Sequence, residues 1–256
     1  MLWCDTHVHS YRSFVGAENM SFAGIADMAK RQGIDVVAVT DHLMSEQDIE
    51  NLKTTAVLLK ESNQTNDVGV EMLFGVEVCE TDSYGNTLLT PSLIDELQFE
   101  LIIGGVHETH LDKGASLIDI AQKQHKHHMM MLENPHIEIL VHPWWFDRNE
   151  FLSKGFEWPQ DMSFIPKELT VCLAHASAAT ETYIEISSMS GLCNKDSSLT
   201  YRNDLYDYYR LLNDEGALFA IGTDAHELSE MKTYDLAKEL VYRIGIDESR
   251  LYRPCS

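Results

Sequence analysis

Two short stretches of the chain carry imidazole and carboxylate groups at a spacing that suits a metal ion. "DTHVHS" presents His7 and His9, and "GTDAH" presents Asp224 and His226. Residues i and i+2 of an extended strand point the same way, so the two groups of each stretch can meet one cation. Four further segments repeat the theme. Asp41 and His42 follow "DVVAVT", Glu77 lies in "MLFGVEV", His107 follows "LIIGGV" and His142 follows "IEILV". Histidine and carboxylate donors without cysteine suit Zn²⁺, Mn²⁺ or Fe and leave coordination positions for water and substrate.

These residues occupy one kind of place in the pattern of the chain. Apolar runs of strand length recur at 1–4, 35–40, 72–78, 101–106, 137–141, 183–187 and 217–222, and all but the sixth carry candidate ligands or are followed by them within a few residues. Between them lie helical stripes, such as Phe22, Ile25, Ala26 and Ala29, or Leu205, Tyr208, Tyr209 and Leu212. Ser21, Ser116 and Thr200 are the expected N-caps. Apolar strands alternating with helices imply a parallel sheet built from βαβ units, and about seven units at this length fit a barrel better than an open sheet. In such folds the C-terminal strand ends share one face, where active sites lie. No linker, repeat or low-complexity segment divides the chain, so residues 1–256 are expected to form a single barrel domain. The least regular connection, 80–99, is expected to be a surface excursion or a substrate loop.

Composition narrows the partners. The 256 residues include 41 acidic and 19 basic side chains, for a formal charge of −22. Such a field disfavours nucleic acid and anionic membranes and favours a small substrate. An anionic substrate would need local positive charge, for which bound divalent ions are the obvious source. No run of eighteen apolar residues and no leader-like N-terminus is present, so a cytoplasmic location is expected, without membrane association. Cys4, Cys79, Cys172, Cys193 and Cys255 are scattered and odd in number, which supports neither a disulfide framework nor a thiolate zinc site; reduced thiols are expected. Composition says nothing about oligomeric state.

The ordered motifs "DTHVHS", "VTDH", "GVE", "IIGGVH", "LVHP", "YIEIS" and "GTDAH" resemble those of the PHP (polymerase and histidinol phosphatase) domain family, from residue 3 to about 231. "LIIGGVHE" and the "HP" after the fifth strand are most similar to the stand-alone phosphatases. The resemblance implies a distorted (β/α)₇ TIM-like barrel with two or three divalent ions at its C-terminal mouth. It also implies hydrolysis of a small phosphorylated metabolite, such as histidinol phosphate. By position, His7, His9, Glu77 and Asp224 would hold the first ion. Glu77 would bridge to a second held by His107 and His142, and His42 and His226 match ligands of a third. Glu77 and Asp224 would act catalytically through the hydroxide that these ions activate. Two departures stand out. The family's further histidine falls at Val15, so a third ion would need Asp224, water and the substrate phosphate to complete its shell. Ser187 stands where "EIN" is usual, at the expected pocket floor.

Other residues have more ordinary expected roles. His125, Lys126, His127 and His128 suit a surface patch near a helix C-terminus, and His136 and His175 are expected to be structural. Asp5 is expected either to orient a ligand imidazole or to be a solvated acid. Arg12 and His110 are candidate substrate contacts, and "PWWF" 143–146 could wall a pocket or pack the helix layer. Specificity is expected to reside in loops near 10–20, 80–99, 143–160 and 188–200. Two other functions fit a buried metal centre: an amidohydrolase-type enzyme acting on a non-phosphate substrate, and a non-catalytic regulatory metal-binding module. The former usually carries a strand-borne lysine, which no expected strand here contains.

Overall fold

The computed structural model describes residues 2–65, 67–111 and 113–254. Its strands are β1 (Cys4–Val8), β2 (Val36–Val39), β3 (His42–Leu43), β4 (Glu71–Cys79), β5 (Leu101–Gly105), β6 (Ile139–Leu140), β7 (Tyr183–Ser187) and β8 (Phe219–Gly222). Its helices are α1 (Phe22–Gln32), α2 (Glu46–Thr65), α3 (Pro91–Leu97), α4 (Leu117–Glu133), α5 (Arg148–Ser153), α6 (Lys167–Thr180), α7 (Leu199–Asp214) and α8 (Tyr234–Ile244). All strand pairs are parallel, in the order β1-β2-β4-β5-β6-β7-β8, with the two-residue β3 beside β4. A parallel bridge between Val8 and Ala225 brings the last strand back to the first. The fold is a nearly closed, distorted (β/α)₇ barrel.

Alternation along the strands sorts the side chains into two apolar layers. One small cluster joins Cys4, Val36, Ala38, Leu73, Leu101, Ile103, Ile139, Val141 and Ala220, which fill the barrel interior. A larger cluster takes the opposite strand faces, including Val37, Met72, Phe74, Ile102 and Ile221, and packs them on the helices. Each buried Val, Leu, Ile or Phe contributes about 1.5–3 kcal/mol of transfer free energy. Along each strand the inward row begins apolar and turns polar: Leu73, Gly75, Glu77, Cys79 on β4, and Ala220, Gly222, Asp224 from β8 onward. The plug therefore lies at the N-terminal end of the barrel and the polar groups at the other.

Local chemistry sets the element ends. Ser21 caps α1 through Gly24 N–H, and Ser116 caps α4 in a capping box with Asp119. The α7 cap is Ser198, not Thr200; its hydroxyl accepts from Tyr201 N–H at 2.9 Å. The first strand begins at Cys4 rather than Met1, which lies outside the described residues, and it includes the polar Asp5, Thr6 and His7. Its pairing with β2 is irregular between Asp5 and Val8. Cys4 packs inside the barrel while Val8, of the same parity, packs outside. The irregularity inverts the alternation there, so that His7 and His9 face inward.

The connection 80–99 holds α3, capped by Thr90, and a bridge between Glu80 and Thr87. Cys4, Cys79, Cys172 and Cys193 are free thiols, and Cys255 lies outside the described residues. No helix of the described residues is long and apolar enough to cross a membrane.

Candidate metal centre

The C-terminal strand ends bring all eight sequence-identified ligand candidates to one basin. Glu77 is fully buried at its centre. Its Oε1 lies 2.9 Å from His142 Nε2 and 3.3 Å from His107 Nε2. Its Oε2 lies 2.9 Å from His42 Nδ1, 3.3 Å from His7 Nε2 and 3.4 Å from His9 Nε2. Asp224 Oδ1 lies 3.4 Å from His7 Nε2, 3.3 Å from His9 Nε2 and 3.8 Å from His226 Nε2. His9 is stacked between His42 and His226, with ring centroids 4.5 and 4.7 Å away.

Strand geometry and backbone conformation both serve this convergence. Leu140 packs outside the barrel and Val141 inside, so extended backbone would turn His142 outward; a left-handed conformation (φ 31°) accompanies its return to the basin. Asp224 is also left-handed (φ 56°), and its N–H donates to His7 C=O at 2.8 Å. Such conformations cost of order 1–3 kcal/mol each at a non-glycine residue. Two glycines hold the space open. A Cβ on Gly105 would lie 2.7 Å from Glu77 Oε1, 2.8 Å from His107 Cε1 and 2.9 Å from His142 Cε1. A Cβ on Gly222 would collide with the Glu185 carboxylate and sit 2.7 Å from His7 Cβ.

The charges are strongly coupled. Burial pushes the Glu77 carboxyl up, but His42, His7 and His107 outweigh it and hold the pKa well below the usual carboxylate range. Burial likewise opposes charge on His7, yet Glu185, Asp224 and Glu77 raise its pKa. His42 rises to about 10 because Glu77 and Cys79 overcome its burial. His9 moves the other way, to about 3, through burial and the neighbouring His42. The basin thus draws cationic charge toward Glu77 and Asp224 while keeping His9 neutral, the form in which imidazole binds metal.

The donor set fits divalent ions. Ligand atoms of His7, His9 and Asp224, of His7, Glu77 and His142, and of His9, His42 and His226 fall in groups whose members lie within 4.8 Å of one another. Nδ1 of both His9 and His142 is buried without a hydrogen-bond partner. Six imidazoles and two carboxylates facing one glycine-lined space are the chemistry that a small cluster of cations satisfies.

Several residues have roles that the sequence pattern did not reveal. Glu185, fully buried in "YIEIS", accepts from His7 Nδ1 at 2.8 Å through one oxygen and from His142 N–H at 2.6 Å through the other. A single acid on the inward row of an apolar strand was the available signal. Asp5 neither orients an imidazole nor meets solvent; it is fully buried and accepts from Thr223 N–H at 2.9 Å and Thr223 hydroxyl at 2.7 Å. Burial raises its pKa to about 7, against the lowering effect of the Thr223 bonds. Asp41 joins none of the groups of converging ligand atoms and accepts instead from Ser10 N–H and hydroxyl, both at 2.7 Å. Ser187 is buried with its hydroxyl unpartnered.

The candidate substrate contacts lie elsewhere. Arg12 reaches Asn51 at 3.4 Å and does not line the cavity over the basin. His110 turns to Glu80 at 2.9 Å, away from that cavity. Glu80 also accepts from His127 Nδ1 at 2.6 Å, and the His110 and His127 rings stack with centroids 5.0 Å apart. The expected surface patch is therefore half buried: His127 and His128 are each 1% exposed, because their face of α4 packs inward. The cavity is about 430 Å³. Phe14, Val15, Met44 and Trp145 form apolar walls, Glu108, Asp147 and Glu150 supply acid, and among the described residues no Lys or Arg lines it. Residues 80–99 contribute nothing to it. Trp144 instead packs against His128, with centroids 4.8 Å apart, so the "PWWF" segment divides between wall and core.

Comparison with known proteins agrees with this architecture. The family model described as PHP domain matches residues 5–142. Among solved structures, histidinol phosphate phosphatase from Lactococcus lactis, complexed with zinc, L-histidinol and phosphate, superposes with a TM-score of 0.62 at 15% identity, covering 96% of this chain and 94% of that one. The histidinol phosphatase described as putative from Listeria monocytogenes gives 0.67 at 12% identity, over 89% and 96%. A structure from work on the metal-dependent tyrosine phosphatases of Bacillus subtilis and Streptococcus pneumoniae gives 0.53 at 16% identity, over 96% and 88%. No curated protein sequence matches the chain.

Proposed function

The chain belongs to the PHP domain family, and from that premise we propose that it is a metal-dependent phosphatase acting on a small phosphomonoester, with residues 1–256 working as one barrel domain. The observation that carries this reading is a cavity without Lys or Arg whose floor is the basin around Glu77 and Asp224. A phosphate entering an envelope of charge −22 needs cations at that floor.

His7, His9, Glu77 and Asp224 would hold one ion, His107, His142 and Glu77 a second, and His42 with His226 would contribute to a third. Divalent zinc, manganese or iron bound there would supply Lewis-acid polarisation of the phosphoryl group and lower the pKa of a water. Glu77, with one oxygen toward His107 and His142 and the other toward His7, His9 and His42, is placed to set the spacing between ions. Asp224 and Glu77 would also counter the charge of bound ions, and Glu185 fixes the His7 ring by accepting from its Nδ1. No side chain is needed as nucleophile.

The cavity walls bear on the leaving group. Phe14, Met44 and Trp145 suit an aromatic or apolar moiety, while Glu108 and Asp147 favour a cationic one and repel a second phosphate. Glu150 is partly offset by its ion pair with Lys154. Histidinol phosphate has this character, as the ligands of the Lactococcus relative illustrate. An amide-hydrolase reading gains no support, since none of the described strands carries a lysine. The test is phosphate release from a panel holding histidinol phosphate, tyrosine phosphate, a sugar phosphate and a bisphosphate, with zinc or manganese present. A kcat/KM highest for the cationic aromatic monoester and lowest for the bisphosphate is expected; release from none would overturn the phosphatase reading.

A further inference from the structure

The inward row of β4 does not end at Glu77. Leu73, Gly75, Glu77 and Cys79 alternate on one face, so the Cys79 thiol emerges beside the Glu77 carboxylate. It is fully buried, yet it belongs to neither apolar cluster, whereas the buried Cys4 packs within the barrel plug. A buried thiol that serves only as a small hydrophobe has apolar neighbours. The ligand atoms of Cys79 and of His42, Glu77 and His107 lie instead within 4.8 Å of one another.

The distances leave room for an ion shared with this thiol. Cys79 Sγ lies 3.5 Å from His42 Nδ1, and His107 Nε2 lies 3.3 Å from Glu77 Oε1, while His42 Nδ1 lies 2.9 Å from the other oxygen of Glu77. A tetrahedral ion with about 2.3 Å to sulfur and about 2.0–2.1 Å to nitrogen or oxygen separates sulfur from nitrogen by about 3.5 Å, and nitrogen from oxygen by about 3.3 Å. Val15, on the cavity wall, offers no donor to an ion near His42; the thiol offers one from the barrel side.

Building on the metal-centre reading above, we propose that Cys79 is a sulfur ligand to the ion that Glu77 and His107 would hold, with His42 close enough to turn to that ion instead of a third. On coordination the S–H bond gives way to a metal–sulfur bond and the proton leaves to solvent; no electron is transferred. The sulfur makes this position prefer zinc or cobalt over manganese.

The experiment uses the full chain, stripped with chelator and reloaded with one metal at a time. With Co²⁺, a sulfur-to-cobalt charge-transfer absorption in the near ultraviolet is expected beside the visible bands, and Cys79→Ser loses the former while keeping the latter. With Zn²⁺, X-ray absorption of the unmutated protein shows a sulfur neighbour at about 2.3 Å, a readout that does not depend on the variant folding. Metal uptake with visible cobalt bands but no charge-transfer absorption and no sulfur neighbour would exclude Cys79 while leaving the centre intact. Failure to take up metal at all would remove the centre, and this ligand with it.

Discussion

Glu185 Oε1 lies 2.8 Å from His7 Nδ1, and the same carboxylate accepts the His142 backbone N–H at 2.6 Å. One fully buried acid on β7 thereby fixes two ligand candidates from β1 and the end of β6. Replacing Glu185 with Gln leaves one accepting oxygen and an NH₂ donor, so one of the two bonds is lost. Metal affinity is expected to fall about 10–100-fold, with far-ultraviolet circular dichroism unchanged. Competition with a chromophoric chelator measures it, and unchanged affinity would show that Glu185 does not orient the ligands.

Gly105 tests whether the basin needs its open space. An added methyl would meet Glu77 Oε1 at 2.7 Å and the His107 and His142 rings at 2.8 and 2.9 Å. Gly105→Ala is expected to retain the fold and lose at least one ion per chain by elemental analysis. Full metal content in this variant would mean that the donors surround a different point.

The junction between the last strand and the first depends on Asp5. Asp5→Ala strands the Thr223 N–H and the more weakly bonded His7 N–H in a buried position, while the Thr223 hydroxyl keeps the His7 carbonyl at 3.3 Å. Each orphaned donor costs about 1–3 kcal/mol, so denaturant unfolding should show a loss of several kcal/mol in metal-free protein. A loss under about 1 kcal/mol would show that water takes over both bonds.

Glu80 carries a pH dependence that can be separated from the metal basin. Burial pushes its carboxyl up, but the His110 and His127 hydrogen bonds outweigh this and lower its pKa. A carboxyl lowered in the folded state binds fewer protons there than in the unfolded chain. Its stabilisation is therefore complete above the unfolded value of about 4.3 and is lost as pH falls through the lower folded value. Glu80→Gln should cost about 1.5–3 kcal/mol at pH 7, and the gap in Tm from the unmutated protein should narrow between about pH 5 and pH 3. A gap independent of pH would rule out the carboxylate charge as its source.

Much of this arrangement was legible in the sequence because strand periodicity and ligand chemistry coincide. "HVH", "GVE", "GVH", "VHP" and "TDAH" each place a donor at or near the C-terminal end of an apolar run, and the parallel fold gathers those ends. What periodicity could not supply was anything set by packing between distant elements. Glu185 and Cys79 sit in apolar strings, where a lone acid or thiol marks a buried polar position without naming the partners it meets. His110 and His127 are paired through Glu80 across three segments of chain, and the inward packing of α4 that buries His127 and His128 leaves no local mark in a run that looks like a surface patch. Thr200 and Ser198 are both good caps, and only the turn geometry chooses Ser198.

The central claim is that ions held around Glu77 and Asp224 carry out phosphate ester hydrolysis. The most direct measurement follows phosphate release from histidinol phosphate and other monoesters while metal is titrated into chelator-treated protein, with bound metal counted at each point. Turnover should be absent without metal, appear as at least two ions bind per chain, and be lost in Glu77→Gln together with one or more of those ions. A chain that holds two ions and releases phosphate from no monoester would contradict the claim.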